Sequence, residues 1–149
     1  MATPSHAWQM ELKTLDMTPG LLRRLTEIIP ETTLNHRADP DLFTPAEMEG
    51  VFLGRFKAMA ESDNPSFPDY DPGQRLSEKA YAGIPLAEGL AAFSARRAAT
   101  TAYLRSLPAD ALQRTGVHSL YGPGTLEEQA RKLVAHDLMH AADILARTA

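Results

Sequence analysis

The chain has 149 residues, 44% hydrophobic and 23% charged, and a formal net charge of −4 from 19 acidic and 15 basic side chains. A chain of this size and composition buries enough apolar surface to fold as one compact domain, taken here as residues 1–149. The charges form no basic run of the kind a phosphate backbone requires, which disfavours nucleic acid as a partner. With no cysteine, disulfides, thiolate nucleophiles and cysteine-ligated zinc are excluded. No apolar run approaches the roughly 20 residues of a membrane span, and MATPSHAWQM lacks the charged start and apolar stretch of a signal, so a cytoplasmic protein is expected.

Helical periodicity dominates the chain. A weakly patterned leader containing His6 and Trp8 precedes Thr18 and Pro19, which suit the cap and first position of a helix whose face carries Leu21, Leu22, Leu25, Ile28 and Ile29. A second helix is expected from TPAE, where Thr44 and Glu47 can cap each other's amides, and its face carries Met48, Val51, Phe52, Phe56 and Met59. From Ser62 to Gln74, SDNPSFPDYDPGQ reads as a long surface loop, either functional or tacked to a bundle end by Phe67 and Tyr70. A third helix follows Pro85, with Leu86, Leu90, Phe93, Thr101 and Leu104 on one face, and stops at Pro108. RTGVHSLYGPG reads as a turn. Its GPG could dock an anion at the next helix start, although turn formation explains it equally well. Thr125 and Glu128 of TLEE then form a second capping pair, opening a fourth helix that runs to the C-terminus. No strand pattern of comparable strength appears, so the fold class is all-α, a four-helix bundle.

A helical wheel at 100° per residue centres the apolar stripe of the fourth helix on Ala130, Leu133, Val134, Leu138, Ala141, Ile144 and Leu145, with Asp137 inside it. His136 and His140 lie together along one edge. Two imidazoles four apart suit a metal edge or an acid/base couple, and equally a pair of polar residues at a helix boundary. On the third helix Arg97 falls in the middle of the apolar stripe. A buried arginine needs a partner, and Asp137 is expected to meet it between helices three and four; the alternative is a side chain that snorkels to water.

The segments FTPAEMEGVFLGR, PSFPDYDP, LAAFSARRAATTAYLRSLP and TGVHSLYGPGTLEEQARKLVAHDLMHAADI together resemble the DinB-like superfamily of four-helix bundles, from Leu34 onward. The resemblance implies an up-down-down-up bundle with a divalent metal, zinc or nickel, held by one histidine of helix two and an HxxxH of helix four. His136 and His140 match the latter residue by residue. It also implies a homodimer and a transferase acting on small molecules with a low-molecular-weight thiol such as bacillithiol or mycothiol. Counting from Phe43, Thr44, Pro45, Ala46 and Glu47, Val51 stands where the family has its helix-two histidine, and no histidine lies on that helix. Glu47 or His118 would have to supply a third ligand. Arg55, one turn after Val51, would repel a cation and attract a carboxylate, and Asp143 stands where the family often has glutamine. The reading is a metal- or histidine-assisted transferase with Arg55 and Arg97 orienting an anionic substrate. A non-catalytic bundle that binds a ligand or dimerises is the alternative.

Overall fold

The computed structural model describes residues 3–28, 40–70 and 86–146, apart from the side chains of 40–47 and 86. Four helices carry the fold: α1 (His6–Ile28), α2 (Pro40–Glu61), α3 (Leu86–Ser106) and α4 (Leu126–Ala146). A 3-10 turn (Ala109–Gln113) follows α3. None of the described helices is long and apolar enough to cross a membrane.

The first helix corrects the sequence expectation, since it begins at His6 and not at Thr18. Ser5 caps it, its Oγ accepting the Trp8 amide at 3.1 Å. Trp8, Leu12, Leu15, Thr18, Leu22 and Leu25 then recur at three- and four-residue spacing and are all buried, which is the stripe of a core-facing helix. Pro19 is therefore internal. It has no N–H to offer the carbonyl four residues earlier, that of Leu15. The Arg97 guanidinium supplies the missing donor, Nη1 to the Leu15 oxygen at 2.8 Å. Leu21 and Ile28, expected on the buried face, are 44% and 68% exposed; Ile29 lies outside the described residues.

Helix α2 begins at Pro40, before the expected Thr44. Proline suits a first helical position, where its missing N–H would have had no partner. The Thr44 and Glu47 capping pair falls outside the described side chains. Met48, Phe52, Phe56 and Met59 are buried, and Val51 packs half-buried beside them. In α3, Phe93, Thr101 and Leu104 are buried; Leu86 lies outside the described side chains. The capping box of α4 forms as expected: the Thr125 amide donates to Glu128 Oε2 at 2.8 Å, and the Glu128 amide to Thr125 Oγ1 at 3.1 Å. Asp137 is buried in the α4 stripe as expected, but the stripe is turned in part: Gln129 and His140 are also inside, whereas Leu138 and Leu145 are 67% and 48% exposed.

Cross-helix pairs set the directions. Glu11 and Thr18 of α1 meet Arg131 and Asp137 of α4 in the same order, so these helices run parallel. Glu49 and Glu61 of α2 meet Arg97 and Tyr103 of α3, again in the same order. Leu15 and Asp16 of α1 face Arg97 and Arg105 of α3, while Pro19 and Arg23 line a groove with Ala87, Leu90, Ala91 and Ser94, so these two helices run opposite ways. Phe52 and Met59 of α2 face His136 and Gln129 of α4, also antiparallel. The bundle is up-down-down-up, as the sequence resemblance implies.

One end carries a small sheet that the sequence does not announce. Strand β1 (Ser66–Phe67) pairs parallel with β2 (Thr115–His118), which pairs antiparallel with β3 (Gly122–Thr125). The strands are too short and glycine-rich to show alternation. Gly116 is required where it stands, because a Cβ there would meet Phe67 Cε2 at 2.6 Å and Met59 Cγ at 3.0 Å. Gly122 takes the hairpin's positive φ of 77°. Phe67 and Tyr70 both pack against the core, so the start of the long loop is tacked to the bundle; its continuation from Asp71 lies outside the described residues.

Candidate functional site

A buried polar network ties all four helices together. Arg97 is 1% exposed. Its Nη1 donates to Asp137 Oδ2 at 2.7 Å, and its Nη2 to Asp137 Oδ1 at 2.8 Å and to Glu49 Oε1 at 2.5 Å. Thr18 of α1 donates to Asp137 Oδ2 at 2.7 Å, and Thr100 of α3 to Glu49 Oε2 at 2.9 Å. The guanidinium also lies 4.9 Å from the centre of the Phe93 ring. Burial pulls the Arg97 pKa down, but the hydrogen bonds it donates to Asp137 and Glu49 more than reverse this, so its pKa lies above its ordinary value. The expected Arg97 to Asp137 pair is present. Both terminal nitrogens of Arg97, expected to orient a substrate, are held by protein oxygens inside the bundle.

Asp137 fixes the rotation of α4 that brings in the two histidines. The Nε2 atoms of His136 and His140 converge to 3.1 Å, with the rings edge to face. His136 Nδ1 is buried with no hydrogen-bond partner. An orphaned acceptor is more tolerable there than an orphaned N–H, which favours a proton on His136 Nε2, donated to His140 Nε2. Burial first, then the neighbouring His140, push the His136 pKa down from 6.5 to about 4, while Asp137 opposes the shift. The ring is neutral at neutral pH.

Phe52 connects the histidines to α2. Its ring centroid is 5.8 Å from that of His136, and the Arg55 guanidinium stands 5.6 Å from the ring centre. Arg55 is 9% exposed, and among the described residues no carboxylate lies within ion-pair distance of it. Burial holds its pKa below the ordinary value, against the pull of Asp69 and Tyr121. His118 of β2 is no metal ligand here. Its Nδ1 accepts the amides of Leu120 and Tyr121 at 3.0 and 3.3 Å, bracing the hairpin turn, and Nε2 faces Asp69 Oδ1 at 3.6 Å. Burial and the charge of Arg55 lower its pKa.

A family-like metal can be tested against these atoms. Two nitrogens each about 2.0–2.1 Å from a tetrahedral ion stand roughly 3.3 Å apart, close to the 3.1 Å observed. The pair therefore fits one edge of a coordination shell. It fits no more than an edge: among the described residues no group of three or more His, Asp or Glu side chains converges to hold an ion. Val51 stands one residue before Phe52, at the level of the pair, with no donor to offer.

Glu49 is the residue that sequence reasoning missed. It lies three and seven residues before Phe52 and Phe56, on the buried face of α2. A carboxylate in an apolar stripe is the same signal that singles out Arg97, and it was available.

Residues 14–144 match the family model of the DinB superfamily. The chain belongs to the DinB superfamily. Its bundle is similar to that of YfiT from Bacillus subtilis, described as a probable metal-dependent hydrolase with an unusual four-helix bundle topology, at a TM-score of 0.87 and 20% identity over 99% of this chain and 90% of that one. At that identity the likeness shows the shared DinB fold. No curated protein matches the chain. His136 and His140 form an HxxxH on α4, and no histidine lies in α2.

Proposed function

We propose that this DinB protein is a metal-assisted transferase of small molecules, with a low-molecular-weight thiol as second reactant. The observation that carries the reading is the converged pair, His136 and His140, with Nε2 atoms 3.1 Å apart and His136 kept neutral by burial. A pKa of about 4 makes His136 a poor general base at neutral pH, where the best base titrates close to the working pH. A neutral ring can turn its Nε2 lone pair to a cation once the proton it shares with His140 has moved to Nδ1. His136 and His140 would hold zinc or nickel, with water and the reactants completing the shell, and the ion would supply the Lewis acidity that favours a thiolate. The sequence has no cysteine, so the sulfur must arrive on a reactant. The likeness to YfiT, a probable metal-dependent hydrolase, supports a metal in general, and the thiol-dependent members of the superfamily are the ground for choosing a thiol.

The test is zinc or nickel binding after dialysis, measured by elemental analysis and competition with a chromogenic chelator. Weak, exchangeable binding is expected, lost in His140→Ala. Val51→His, which restores a third nitrogen at the family's position, is expected to tighten it roughly tenfold or more. Wild type that holds no more metal than His140→Ala overturns the reading. The alternative, a non-catalytic module, is favoured by Val51 and the two-ligand edge, and predicts no consumption of thiol by the metal-loaded protein.

A further inference from the structure

Two arginines are buried among the described residues, Arg55 and Arg97. Arg97 is the more deeply buried and holds two carboxylates; Arg105 pairs with Asp16, Arg131 with Glu11 and Glu127, and Arg114 donates to the Met59 and Ser62 carbonyls. Arg55 is nine-tenths buried, and among the described residues its company is the Phe52 ring and the more distant Asp69 and Tyr121. An uncompensated buried guanidinium is costly, and an oxyanion that reaches it is bound by two parallel charge-assisted hydrogen bonds. Its neighbours form one continuous seam. On α4, Lys132, His136 and His140 recur every four residues, on one face. Lys132 Nζ stands 5.1 Å from the Tyr121 ring centre, Tyr121 stacks on His118 at 4.7 Å, and Phe52 bridges Arg55 to His136.

We propose that Arg55 is an anion-binding residue that holds the carboxylate of a small organic acid, with the acid's other end directed toward His136 and His140. This deepens the reading of the α2 and α4 face as a reaction site and rests on it. A carboxylate suits the site better than a phosphate dianion: Asp69 already places one negative charge nearby, facing His118 Nε2 at 3.6 Å, which a second full charge would oppose. The planar fork of arginine also matches a planar carboxylate.

Benzoate is the probe, with benzyl alcohol as its neutral counterpart and inorganic phosphate as the other anion. In chelator-treated full-length protein, benzoate is expected to shift the Arg55 Nε–H resonance and raise Tm, and benzyl alcohol is expected to do neither. Arg55→Met weakens benzoate binding about tenfold or more, and Arg55→Lys falls between. Without ligand, Arg55→Met keeps or raises Tm, because it removes a buried charge that pairs with no carboxylate among the described residues. Benzyl alcohol binding as well as benzoate, phosphate binding more tightly than benzoate, or unchanged benzoate binding in Arg55→Met each overturns the assignment, as does an Arg55→Met Tm loss as large as that of Arg97→Met. Metal is absent from the measurement. Benzoate binding that survives in His140→Ala therefore upholds the anion site even where the metal reading has failed.

Discussion

Arg97 shows what a single buried charge does when every neighbour is committed to it. Arg97→Met would leave Glu49 and Asp137 buried without a cation, and breaking a buried pair in this way costs about 3–5 kcal/mol; a urea titration should show a loss of that order. His136 makes a second prediction at the same scale. Its folded pKa, about 4, lies below its ordinary 6.5, so protons bind the unfolded chain more readily. The stability this contributes is fully present above pH 6.5 and is lost as pH falls toward 4. Between pH 7 and pH 5 it amounts to about 2 kcal/mol. Denaturant midpoints at the two pH values should differ accordingly, and His136→Gln should flatten that slope.

Among the elements, the hairpin and the capping box make the sharpest expectations. Gly116→Ala drives a methyl to within 2.6 Å of the Phe67 ring and 3.0 Å of Met59, and crowding of this kind costs about 1–3 kcal/mol. Because Phe67 belongs to β1 and Gly116 to β2, the loss should appear as faster hydrogen exchange at the Val117 and Ser119 amides, which donate to Pro65 and Phe67. Thr125→Ala removes the side-chain acceptor of the Glu128 amide and should cost about 1 kcal/mol. Helix α1 illustrates how an element tolerates an internal proline: the carbonyl that Pro19 leaves open is filled from another helix, by Arg97.

For the molecule as a whole, α1 and α4 run parallel and leave Met17, Leu21, Leu138 and Leu145 exposed, with Val134 half-buried along the shallow groove between the helices. Contiguous apolar surface of this kind marks a contact face. The homodimer implied by the family resemblance would cover it with a second copy, stripe against stripe about a two-fold axis. Sedimentation of wild type against the Leu21→Glu, Leu138→Glu double variant tests this: the expected outcome is a dimer that becomes a monomer with its helical circular dichroism unchanged. A wild type that sediments as a monomer ends the expectation.

Local rules read directly from the residues determined a good deal. Periodicity, prolines and the Thr125 and Glu128 box marked α3 and α4 closely, because these signals act within a few residues of chain. The spacing of His136 and His140 placed both rings on one helix face, and Arg97 in an apolar stripe announced a partner in Asp137. The rest was decided only when the helices packed. Leu15 could host a proline four residues later because Arg97 came from across the bundle. The α4 stripe turned toward His140 and left Leu138 outside because Asp137 had to reach the guanidinium. Glu49 joined the network through a contact more than forty residues apart in sequence, and Arg55 was buried against Phe52 with no ion-pair partner among the described residues. Hydrogen-bond satisfaction and charge compensation in the interior are properties of the assembled core, and no window of sequence contains them.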